Sequence, residues 1–239
     1  MLRPTLTVLG ALMLAFLIAC GAYGLSDVAA RHAFDVRASY RGVQTLRVDG
    51  GDGDVRLTAA PAGSAVAVVV HVTEGLTAPD RRVVRAADGI LRLSAGCSFV
   101  FSNSCGASYT IAVPPGVAVD AHAGGGNVDA SNPTGPLRLS SGDGDVNALG
   151  IRATNVTLQS GNGDVTATFD RAPTRLDASS GNGDVTLTVP DTTYAVRASS
   201  GNGTVSDQTL RTDPSSPRSI TASSGNGDVT IQAAGVAAR

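Results

Sequence analysis

The sequence predicts an all-β protein built as a β-solenoid of roughly 20-residue coils, on three observations. A Gly-x-Gly-x-Val core recurs at 51–55, 124–128, 142–146, 161–165, 181–185, 201–205 and 225–229. From Val128 onward the spacings to the next core Val are 18, 19, 20, 20 and 24 residues. On both sides of each core, apolar and polar residues alternate with period two, which is the pattern of a half-buried strand. Before the turn stand Leu137, Val156, Leu176, Val196 and Ile220, and two residues later Leu139, Leu158, Ala178, Ala198 and Ala222. After it stand Val146, Val165, Val185, Val205 and Val229. Each repeat therefore reads as strand, turn, strand. Equivalent positions match residue for residue, as parallel stacking requires, because like sits on like about every 4.8 Å. An antiparallel β-sheet stack is the alternative.

The elements follow in chain order. Arg3 precedes an uncharged run from Pro4 to Ser26, 23 residues with the apolar centre Thr5–Ala19. A positive start followed by an apolar region reads as a secretory signal. Leu17-Ile18-Ala19-Cys20-Gly21 resembles the lipobox of bacterial lipoproteins. That resemblance implies a signal peptide over 1–19, cleavage before Cys20 and lipidation of Cys20. The same run is long enough for an uncleaved anchor. Residues 20–42 read as a membrane-proximal spacer, with a short helix over Ser26–Phe34 capped by Ser26. The repeat domain occupies 43–239. Its N-terminal stretch is less regular, with strands expected at Leu46–Val48, Val66–Val72, Arg82–Arg85, Ile90–Leu93, Tyr109–Val113 and Gly116–Asp120, read as degenerate coils.

Composition narrows function. The net charge is −2, charged residues are 16% and all 18 basic residues are arginine. No basic footprint for nucleic acid is present. Aromatic residues make up 4% and Trp is absent, so stacking platforms are scarce. Besides Cys20, the sequence holds Cys97 and Cys105. In an exported chain these read as a disulfide, worth about 2.5 kcal/mol by loop entropy; two free thiols are the alternative. Phe99, Phe101 and Tyr109 cluster beside that loop and are expected to form a contact patch.

Two columns of turn residues recur: Asn162, Asn182, Asn202 and Asn226, and Asp145, Asp164, Asp184 and Asp228. Stacked carboxylates repel, which a calcium ion would relieve. In the opposing reading, glycine supplies positive φ while Asn and Asp bond nearby backbone, and the Asn column forms a ladder of amides along the stack. The structural reading is preferred: no metal, no cofactor and no catalytic residues are expected. His32, His71 and His122 lie in no nucleophile motif. Asp177, Arg197 and Arg138 are expected to form surface ion pairs between coils.

The tandem Ser-Gly-Asn-Gly-Asp-Val repeats, the lipobox or anchor and the Cys pair resemble bacterial envelope proteins of the DUF4097 type over about Val43–Gln232. The resemblance implies an adhesin-like β-strand repeat protein. The Arg-only, Ala- and Gly-rich composition resembles that of a high-GC bacterium, an actinobacterium. Together these lead to a non-enzymatic module tethered to the outer face of the cell membrane, binding an envelope polymer or protein partner. A small carbohydrate-active enzyme on a β-helix is the alternative. The last coil, with Val229 and Ile231, carries no polar cap in sequence and is expected to offer an open edge for self-association.

Overall fold

The computed structural model describes residue 13 and residues 32–74, 80–85, 88–96, 106–207 and 210–235. The chain forms a β-solenoid of two ten-stranded sheets. A representative coil runs from strand Arg175–Ser180 in one sheet, through the turn Gly181–Asp184, to strand Val185–Val189 in the other. Within each strand alternate residues are buried, so the apolar set of every coil faces the space between the sheets.

Stacking is parallel and in register. In one sheet Leu137, Val156, Leu176, Ile220 and Val196 lie on one another. In the other the column is Val55, Val128, Val146, Val165, Val185, Val229 and Val205. Most of these side chains are fully buried. Each contributes about 1.5–3 kcal/mol of transfer free energy, but only with a coil above and below it.

Coil order departs from chain order at both ends. Strand Val229–Ala233 pairs with Val185–Val189 on one side and with Val205–Ser206 on the other. Strand Ser219–Ser224 likewise sits between Arg175–Ser180 and Thr193–Ser200. The last repeat in sequence is thus inserted inside the stack, and the preceding repeat forms its end. This corrects the expectation of an open edge at Val229 and Ile231, which are 0% and 1% exposed. The open edge is the coil of Val205, which is 43% exposed. Two departures from the repeat explain the order. Asp207 stands where other coils have Ala148, Ala167, Leu187 or Ile231, and inside the stack its charge would be buried without a partner. Thr204 stands where the others carry Asp or Asn, a position that has no coil to serve at the end. Terminal repeats are commonly atypical for this reason.

At the opposite end strands Ile90–Gly96 and Gly106–Val113 form the outermost parallel coil, and Thr45–Asp49 with Val55–Ala59 lie inside it. Parallel stacking stops there. Strand Val66–Glu74 pairs antiparallel with Gly106–Val113, and His32–Tyr40 antiparallel with Val66–Glu74. Asp80–Arg85 pairs antiparallel with Ile90–Gly96. Two of the strands expected as degenerate coils, Val66–Glu74 and Asp80–Arg85, therefore belong to a cap, together with His32–Tyr40. His32–Phe34 is strand, not helix, so the folded domain begins before Val43. No helix among the described residues is long and apolar enough to cross a membrane.

Candidate functional site

The turn column is a system of three hydrogen-bond ladders. In the first, each buried serine serves two coils. Ser180 Oγ donates to the Gly163 carbonyl at 2.8 Å and accepts from the Gly183 N–H at 2.8 Å. Ser141, Ser160, Ser224 and Ser200 repeat the arrangement. Ser180→Ala would leave a buried N–H and a buried carbonyl without partners. A loss of about 1–3 kcal/mol is expected, read as a lower denaturant midpoint, with Ser199→Ala on the exposed alternate position near zero.

In the second ladder amides link coil to coil: Asn182 Nδ2 donates to Asn162 Oδ1 at 2.6 Å, Asn226 to Asn182 at 2.5 Å and Asn202 to Asn226 at 2.6 Å. Asn162 donates in turn to Asp143 at 2.6 Å. The third ladder engages the carboxylates. The Oδ1 atoms of Asp145, Asp164, Asp184 and Asp228 accept the backbone N–H of Asp164, Asp184, Asp228 and Thr204, at 2.7–2.9 Å. Asp54 does the same for Asn127, and Asn127 Oδ1 for Asp145. The bonds run to the next coil rather than to local backbone. Among the described residues no group of three His, Cys, Asp or Glu side chains is placed to hold a metal ion.

Because Asn127 performs this role with a neutral oxygen, Asp184→Asn should leave the melting temperature nearly unchanged and Asp184→Ala should lower it. Acid acts on the same bonds. Hydrogen bonds from Thr204 hold the Asp228 carboxyl below its usual range. The Arg211 and Ser215 hydrogen bonds do so for Asp191 and Asp213. A carboxylate depressed in the native state stabilises it above the ordinary value near 3.9, and that contribution is lost as pH falls from there through the native value. All three groups brace the coil at the open end. Hydrogen exchange on acidification should therefore rise first in residues 193–213, with the coils near Val165 protected longest.

Apart from Gly51, the repeat glycines do not supply positive φ. Positive values occur at Gly51 and at glycines outside the regular turns, such as Gly116 and Gly150. The turns need glycine because successive coils approach too closely for a Cβ.

On the outer faces, ion pairs join coils at Arg56–Asp129, Arg152–Asp170 and Arg211–Asp191. The expected set is different: Asp177 pairs with Arg175 of its own strand, Arg138 donates to Gln159, and the inserted Thr221 separates Asp177 from Arg197. At the cap, Asp35, His71 and Thr110 lie in line, with His71 Nδ1 2.7 Å from Asp35 and Nε2 3.5 Å from the Thr110 hydroxyl. The order is that of a nucleophile triad, but Asp35 and His71 are exposed and Thr110 is half-buried, and the contacts fasten the edge strand to its neighbours.

A groove of about 630 Å³ lies on the outer face of three strands. Arg47, Arg92, Asp49, Asp88, Asp120 and His122 line it. Sequence reasoning misses this group, since its members come together only through register: Arg47 pairs with Arg92 and Asp120, and Asp49 with His122. A signal was present in the recurring triplets Leu46-Arg47-Val48 and Leu91-Arg92-Leu93, each placing an arginine between two buried residues.

Cys20, Cys97, Cys105, Phe99 and Phe101 lie outside the described residues. Tyr109 does not belong to a contact patch. It takes the Val slot of the outermost coil, opposite Val55, and is 3% exposed.

The family model of Toastrack DUF4097 matches residues 98–236. No curated protein matches the chain. Among solved structures it is similar to a candidate cell adhesion protein from Clostridium sporogenes, at 11% identity and TM-score 0.45 over 85% of this chain and 99% of that one. It is also similar to a candidate adhesin from Bacteroides fragilis, at 18% identity and TM-score 0.44, covering 84% and 97%. With the family model covering more than half of its length, the chain belongs to the Toastrack DUF4097 family.

Proposed function

We propose that the chain is a non-enzymatic, adhesin-like module, tethered to the outer face of the cell membrane, that binds an envelope polymer or a protein partner. The observation that carries this reading is the division of polar groups. The turn columns are engaged in holding coil to coil, whereas a charged concavity around Arg47 and Asp120 opens directly to solvent. By contrast, the cleft beside Leu57, Val117 and Leu137 holds only about 20 Å³, room for about one water. The Leu17–Cys20 motif supports tethering. Cys20→Ala is expected to block lipid labelling and leave the precursor uncleaved; unchanged labelling and mobility would remove the lipid anchor from the proposal.

The binding test uses labelled full chain and isolated cell envelopes, untreated, protease-treated or stripped of wall polymer. Saturable retention that one treatment abolishes supports the module and assigns its partner class. Absence of saturable retention on any of them overturns it.

One observation favours a second reading, a small carbohydrate-active enzyme. Asp49, Asp88 and Asp120 share the groove, and glycoside hydrolysis uses two carboxylates about 5–10 Å apart. Release of reducing ends from envelope polysaccharide by the full chain, lost in Asp120→Asn, would establish that activity.

A further inference from the structure

Arg47 and Arg92 are Cα partners on neighbouring parallel strands. Leu46, Val48, Leu91 and Leu93 on either side are buried while both arginines are exposed, so the two side chains leave the same face. Neighbouring strands stand about 4.8 Å apart, and like charges directly opposite are unfavourable. Neither guanidinium has an ion-pair or hydrogen-bond partner among the described residues. This holds although Asp120 is the partner of Arg47 on its other side and Asp49 follows two residues along the strand. Some outward arginines find acceptors among the described residues, as Arg138 does at Gln159 and Arg175 at Asp177, while others, such as Arg197, do not.

The charges of the groove exclude simple ligands. Two arginines face three carboxylates, Asp49, Asp88 and Asp120. A polyanion would meet the carboxylates, and a plain cation would meet the paired guanidinium groups. Asp49, two residues on from Arg47, lies about 6.6–6.8 Å along the strand, and Asp120 stands about 4.8 Å across from Arg47 on the neighbouring strand, which sets the distances between the positive and negative ends. Guanidinium forks match phosphate oxygens bidentately. We infer that this groove binds a zwitterionic ligand, with a phosphate seated between Arg47 and Arg92 and an ammonium group received by Asp49 and Asp120. A phosphoethanolamine unit has this chemistry, whether carried by a lipid headgroup or by a soluble or polymeric molecule. The inference rests on the binding-module reading and narrows its ligand.

The test titrates the full chain, in uncharged detergent micelles, with phosphoethanolamine, glycerol phosphate and ethanolamine, followed by calorimetry. Phosphoethanolamine is expected to saturate and to bind at least tenfold more tightly than either singly charged probe. Arg47→Gln and Arg92→Gln should each weaken it about tenfold, the effect of one lost charge-assisted contact. Asp49→Asn combined with Asp120→Asn should shift preference toward glycerol phosphate, a reversal that a folding defect would not produce. No saturation by about 10 mM, or equal affinity in the arginine variants, overturns the inference. Nanodiscs distinguish the sources. If a lipid headgroup fills the groove, the soluble probe binds more weakly in phosphatidylethanolamine discs than in the uncharged detergent micelles; equal affinity assigns a non-lipid source. Retention on envelopes without phosphoethanolamine binding sinks this inference alone. Phosphoethanolamine binding without envelope retention sinks the module reading alone.

Discussion

Val229→Asp is expected to destabilise the protein as severely as Val185→Asp, and Val205→Asp to change little. Judged by chain order, Val229 belongs to the last coil and should tolerate a charge. In the stack it lies between Val185 and Val205 and is fully buried, as is Val185. An aspartate at either site would enter a narrow apolar core with no cation in reach. An uncompensated buried charge costs about 3–5 kcal/mol, a large fraction of the roughly 5–15 kcal/mol that holds a typical domain together. Val205 ends the column and is 43% exposed, so an aspartate there remains solvated beside Asp207. Denaturant midpoints of the three variants decide the matter. A mild Val229→Asp with a severe Val205→Asp would show that the coils follow chain order.

Gly183→Ala should be nearly as damaging, although it adds a single methyl group. A Cβ on Gly183 would run into the carbonyl of Gly163 and lie 2.6 Å from Asp164 Oδ1. Neither obstacle can yield cheaply. The Gly163 carbonyl accepts from Ser180, and the Asp164 oxygen accepts from the Asp184 N–H. Overpacking of this kind costs about 1–3 kcal/mol, occasionally more, and here it would also break the serine and carboxylate ladders at that level. Gly106→Ala is the control: nothing among the described residues lies within 4 Å of the added carbon and its φ is not positive. That change is expected to be neutral or to stabilise by up to about 1 kcal/mol through the unfolded chain. Equal midpoints for the two alanine variants would refute the close-approach account.

The glycines show how a sequence can indicate the right residue for the wrong reason. Gly-Asn-Gly suggests a turn with positive φ, because within one repeat that is the property that distinguishes glycine. The steric demand comes from the coil alongside, about 20 residues away in the chain, and does not exist within an isolated repeat. The carboxylate column is similar. Asn127 and Thr204 look like interruptions of an acidic array. Once the relay of N–H groups is seen, Asn127 is an equivalent acceptor and Thr204 marks its end.

The strand-turn-strand repeat, its parallel register and the identity of the buried column were all legible in the residues themselves. Each depends on the same residue recurring at the same place in every coil, which is information local to the repeat. The order of the coils, the antiparallel cap over the outermost of them and the groove that joins Arg47, Arg92 and Asp120 emerge only in three dimensions. Every regular coil offers the same pairing surface to every other, so repetition cannot specify neighbours. Order is set by which coil can leave a face in water, and that is decided by the cost of burying Asp207 against the gain from burying Ile231.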